Sequence, residues 1–172
     1  MFLTPPDEKA LRATAFAALI AYALQRDSGM CEYRPSFALF QVPSKPQLVR
    51  VPKLSLPDDA QQQFEAHNGA SLKTVALSRS EQARLTEAFR VEQRRQKFLP
   101  AKKTIGKVTL ELGPSWWDGK QAVLVSFRYQ YSFDDHSLGD GGSGSAVFGG
   151  IVLQGEARRW KLSQVVPVLA AG

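Results

Sequence analysis

Cysteine is nearly absent from this chain: Cys31 stands alone, so no internal disulfide can form. Two histidines, His67 and His136, are too few to build a Cys/His zinc site with it. The redox compartment stays open on these counts, since a secreted protein can lack bridges. No apolar run reaches the roughly 20 residues that a membrane helix needs. The most apolar stretch, residues 13–24 (ATAFAALIAYAL), has a length that suits a signal peptide. However, Asp7 and Glu8 stand where such a signal places positive charge, and Gln25-Arg26-Asp27 follow where small residues should precede cleavage. Met30 likewise occupies the position that a lipidated Cys31 would need filled by a small residue. The stretch therefore reads as a buried helix. The reading leans to the cytoplasm, with the periplasm open if an upstream signal has been removed. Internal repeats are missing, and the one low-complexity patch is the glycine loop at 134–144.

What is present is ordinary globular material. The chain is 44% hydrophobic and 22% charged, which excludes wholesale disorder and collagen-like or coiled-coil character. Its 172 residues fit one domain of roughly 150 residues. Such a chain can bury about 70% of its unfolded surface in a single core. Twenty-two basic against 16 acidic residues leave a net charge of +6. That balance brings acidic partners, nucleic acid and anionic surfaces into consideration, but it is equally an ordinary means of solubility.

Local patterns divide the single domain (1–172) into four parts. In 1–32, Thr4-Pro5-Pro6-Asp7 reads as a helix start with Thr4 as cap, and the helix runs to about Arg26. In 33–77, Pro35, Pro43, Pro46, Pro52 and Pro57 punctuate short apolar runs. Proline cannot donate to a ladder, so these runs are expected as edge strands or extended wrapping. A short helix over 58–67 and one strand over 72–77 follow. In 78–99, Ser78-x-x-Glu81 forms a capping box that opens a helix with Leu85, Ala88 and Phe89 as its inner seam. In 105–169 the pattern is an antiparallel meander. Residues 107–112 (KVTLEL) alternate, and Asp118-Gly119 marks a hairpin. The next strand carries Val123, Val125, Phe127, Tyr129, Tyr131 and Phe133 on one face. Gly149-Gly150 predicts a bulge or bend, and a turn near 155–158 leads into the last strand.

Helices first and a long meander afterwards indicate an α+β fold, with N-terminal helices packed on a bent, mainly antiparallel sheet formed largely by residues 105–169. The closing pattern Gly155…Arg159-Trp160-Lys161-Leu162 resembles the final strand of NTF2-like and cystatin-like cone domains, over about residues 101–172. That resemblance implies helices laid into the concave face of the sheet and, in some such domains, a pocket there. It brings no catalytic motif.

Chemistry-bearing residues concentrate in the loop at 134–144, where Asp134, Asp135, His136 and Asp140 lie close together. The loop fails the EF-hand spacing, the repeat-type calcium turn, the nucleophile elbow, the phosphate loop and the dinucleotide loop. Two readings of the loop stand: a weak cation site or acid–base work by His136 with an aspartate, and a plain polar hairpin loop, which is favoured. Cys31 reads as a small buried hydrophobe, and His67 as a surface residue.

Three function classes follow. The leading one is a non-enzymatic binding module without a cofactor, contacting a protein partner within a bacterial assembly or forming a homodimer. Trp116, Trp117, Arg90, Arg94 and Arg95 are its partner-binding residues; alternation sends the two tryptophans to opposite faces. A second is a small-molecule or enzymatic pocket in the hollow of the sheet, with Arg128, Tyr129, Tyr131, Asp134 and His136 near its mouth. A third, not favoured, is electrostatic binding to nucleic acid or an anionic membrane through the basic stretch that also includes Lys97, Lys102 and Lys103. It lacks the interleaved aromatics of single-strand binders.

Overall fold

The computed structural model describes residues 7–26, 32–41, 73–96, 105–117, 121–133, 144–156 and 158–171. Helix α1 spans Glu8–Arg26. Asp7 caps it: Asp7 Oδ1 accepts the N–H groups of Lys9 at 3.0 Å and Ala10 at 3.2 Å, while Thr4, expected as the cap, lies outside the described residues. A carboxylate at the positive end of the helix satisfies two of its orphan donors. These bonds, the Ala10 N–H foremost, hold the Asp7 carboxyl below the usual aspartate range. The guanidinium of Arg158 adds to them at 3.3 Å.

Six strands follow: β1 (Glu32–Gln41), β2 (Lys73–Ala76), β3 (Ile105–Trp117), β4 (Ala122–Phe133), β5 (Gly144–Glu156) and β6 (Arg159–Ala171). Helix α2 (Arg79–Arg95) lies between β2 and β3 in the chain. The sheet order is β2-β1-β3-β4-β5-β6. Every neighbouring pair is antiparallel except β1 with β3, so the fold is α+β with a mixed, mostly antiparallel sheet. Register shifts interrupt three places: Leu112/Ser115, Phe148/Gly149 and Val152/Leu153. Such bulges bend strands, and one falls at the predicted Gly149. Gly155, next to the β5–β6 turn, has φ of 157°, and a Cβ there would meet the Arg159 carbonyl.

Strand β1 corrects an expectation. Pro35 pointed to an edge strand or wrapping segment, yet β1 lies inside the sheet between β2 and β3. The reason is local. Strand β2 pairs with residues 38–41 of β1, so among the described strands Pro35, opposite Val108, has β3 alone beside it. The ladder tolerates a missing N–H on that open side. The short helix expected over 58–67, Cys31, His67 and the loop at 134–143 lie outside the described residues.

The core sits between α1 and the strands. Phe16 and Leu19 are fully buried, as are Leu110, Tyr129, Val147, Ile151 and Leu153. Helix α1 touches β3, β4, β5 and β6, so it lies along the meander that the alternation predicts. The apolar stretch 13–24 is thus the core helix of the domain, and no described helix is long and apolar enough to cross a membrane. The opposite face of the sheet is also buried at its centre, at Leu124, Ser126 and Val152.

Helix α2 opens as the capping box predicts: Ser78 Oγ accepts the Glu81 N–H at 3.3 Å. The Glu81 carboxylate reaches Arg12 of α1 at 3.2 Å, tying the helix starts together. The seam is narrower than Leu85, Ala88 and Phe89; among the described elements α2 packs mainly on α1 and β1. Phe89 is buried, Leu85 half-buried and Ala88 exposed.

Candidate functional site

The face of β4 that carries Val123, Val125, Phe127, Tyr129 and Tyr131 turns toward α1. Its rings stack along the strand, with centroids 6.3 Å apart for Phe127–Tyr129 and 6.5 Å for Tyr129–Tyr131. Tyr22 of α1 meets Phe127 and Tyr129 edge-on, at 6.1 and 6.3 Å. Phe16 meets Phe37 of β1 in the same way at 5.6 Å. The aromatic hollow is therefore packed interior. Tyr129 is fully buried there, and Tyr131 is half-buried against Tyr33. Of the residues expected to meet at a pocket mouth, Arg128 lies on the opposite face of β4 from the two tyrosines. Asp134 and His136 lie outside the described residues.

On that opposite face Arg128 has its own surroundings. Its Nε donates to Glu111, the directly opposed residue on β3, and its guanidinium lies 5.0 Å from the Phe40 ring. Glu111 is 7% exposed, so the pair is largely out of water. A shallow cavity of about 220 Å³ opens over it, bordered by Thr109, Gln130, Ala146 and Phe148. Glu111 and Phe40 belong to no motif in the sequence. Glu111 had one signal: it is the acidic residue on the outward positions of an alternating strand.

A larger cleft, about 420 Å³, lies where β1 stops pairing with β3. Leu11, Leu39, Leu112 and Val125 line it with Phe40, and Glu8 and Arg12 border it from the first turns of α1. The Phe40 ring packs directly over Gly113, where a Cβ would overlap it. Glycine at 113 is thus a packing requirement beside the bulge.

The open stretch of β1 is finished by a side chain. Gln82 of α2 accepts the Phe37 N–H at 3.2 Å through Oε1 and donates through Nε2 to the Phe37 carbonyl. Its amide thus takes the place of a strand residue and fastens α2 to the sheet. Gln82→Ala leaves both backbone groups without this partner, and the expected cost is about 1–3 kcal/mol. Urea unfolding checks this, and Gln82→Asn, too short to reach, should lose nearly as much.

The partner-binding candidates are spread widely. Trp117 is half-buried and packs on the core, with its Nε1 buried and lacking a hydrogen-bond partner. The backbone of Trp116 is in register with Leu124. Arg90, Arg94 and Arg95 are exposed on α2. Arg94 bridges Glu87 at 3.4 Å and Arg95 bridges Glu92 at 2.8 Å. The Arg95 hydrogen bond holds the Glu92 carboxyl below its usual range, while Glu92 raises Arg95. Two of the three arginines are thus partly neutralised by their own helix. Lys97, Lys102 and Lys103 lie outside the described residues.

Among the described residues, no three His, Cys, Asp or Glu side chains converge as metal ligands. The class these elements define is an α+β domain with a helix laid on a mixed six-stranded sheet. Compared with protein-family models, with curated proteins and with solved structures, the chain finds no match.

Proposed function

We propose that this chain is a non-enzymatic binding module that acts through contact with protein surfaces, as an assembly subunit or with its own kind. The observation that carries the reading is the occupied hollow: the ring of Phe16 and the side chain of Leu19 fill the space against the sheet where a cone-type domain would hold a substrate. Buried aromatic rings stacked on one another leave no room there for a reacting molecule and its acid–base pair. The third reading loses support on α2, where Glu87 and Glu92 offset the arginines that would track phosphates.

Small-molecule binding has one observation in its favour, the cleft of about 420 Å³ beside Phe40, whose size falls in the usual ligand-pocket range. It stands apart from the predicted pocket residues. The two readings separate in one experiment: chemical cross-linking of the chain in its source cells, followed by mass measurement of the purified product. The module reading expects discrete protein adducts above 19.0 kDa, cross-linked through surface residues. A chain that stays at its own mass, and binds a small molecule blocked by Gly113→Leu at the cleft, would contradict it.

A further inference from the structure

The two edges of the sheet are finished differently. On one side, β2 covers residues 38–41 of β1, Pro35 removes a donor, and Gln82 holds both backbone groups of Phe37. On the other side, β6 is a strand of 13 residues whose outer edge pairs with no described strand. Charge is confined to its start. Arg159 and Lys161 are exposed, and residues 162–171 (LSQVVPVLAA) contain no charge at all. Leu162 is 48% exposed, one of two large hydrophobic side chains left open on the described surface. Long uncharged edges are what sheets ordinarily avoid unless something pairs with them.

We propose that the outer edge of β6 docks a second copy of this chain, the two β6 strands running antiparallel about a two-fold axis near Val165. This rests on the protein-contact reading and gives it a partner. The charge pattern suits a second copy. An antiparallel two-fold sets uncharged run against uncharged run, and Lys161 falls opposite residue 169 of the other chain. Because Lys161 and Leu169 pair with Gln154 and Phe148, six residues apart on β5, the two Lys161 backbones are then roughly 20 Å apart along the ladder. That is well beyond the about 8 Å over which exposed charges act in physiological salt. An acidic peptide would answer Arg159 and Lys161 but leave the uncharged run uncovered. Pro167 offers no N–H, and the register shifts leave Ser163 and Val168 unmatched on β6, so the ladder between copies is centred on residues 164–166.

The test uses Gln164, exposed and next to the axis. Light scattering over a dilution series should give a mass twice 19.0 kDa for the natural chain, with amides in 162–166 exchanging faster on dilution. Gln164→Lys and Gln164→Glu each bring like charges together across the axis and should weaken the dimer about fivefold. An equimolar mixture of the two variants should restore it, which a folding defect could not do. A mass of 19.0 kDa throughout the series overturns the pairing, and so does a dimer that neither variant weakens. Either result leaves the protein-contact reading to be judged by the cross-linked products from source cells.

Discussion

Phe16→Ala should be among the most damaging single changes in this protein, lowering stability by about 3–5 kcal/mol. Phe16 is fully buried on α1, edge-on to Phe37, within the cluster that also holds Phe127 and Tyr129. Removing the ring takes away its transfer energy and leaves a cavity that a helix held by Asp7 and by Arg12–Glu81 cannot readily collapse. Since domains are stable by only about 5–15 kcal/mol, a large part of the total is at stake. For a chain of this size the melting temperature should fall by roughly 10 °C or more. The control is the next residue, Ala17, which is exposed; Ala17→Ser should change stability by less than about 0.5 kcal/mol. A Phe16→Ala cost no larger than the control would mean that the ring does not sit in the hollow.

The second large effect concerns Glu111 and Arg128. Breaking a buried ion pair from one side leaves a charge in a poor environment, at about 3–5 kcal/mol when both partners are fully enclosed. Arg128 keeps 22% of its side chain exposed, so the expected cost of Glu111→Ala is lower, about 2–3 kcal/mol. The informative comparison is the double replacement Glu111→Leu with Arg128→Met. Two apolar side chains of similar volume remove the stranded charge, so the double variant should recover most of the loss. Chemical denaturation of the two single variants and the double variant measures the coupling directly. Additive losses would mean that the two groups do not depend on each other.

Part of this architecture was legible in the residues. The apolar stretch at 13–24 gave a core helix, the Ser78–Glu81 spacing gave the start of α2, and alternation gave β3 and the inner face of β4. These signals are local, so tertiary context had little to overturn. What stayed hidden depends on register. Read as a two-residue turn, Asp118-Gly119 pairs Trp117 with Lys120 and sets Glu111 opposite Ser126. The observed ladder pairs Trp117 with Val123, and the bulge before Ser115 brings Glu111 opposite Arg128. No periodicity announces either event.

The candidate site was less legible for the same reason. Placing Arg128 near Tyr129 and Tyr131 followed their closeness in sequence, but successive residues of a strand face apart. The strand that looked like an edge, β1, became interior through a partner only four residues long and through one glutamine amide from α2. Side-chain completion of a ladder leaves no compositional trace.

Amide hydrogen exchange along α1, read residue by residue in the natural chain, bears most directly on whether this helix is the interior of the domain. The account predicts that amides from Phe16 to Leu24 exchange only through global unfolding, with the same opening free energy as Tyr129 in the central strand β4. Exchange in α1 at the rate of a frayed or detached helix, while β4 stays protected, would contradict it.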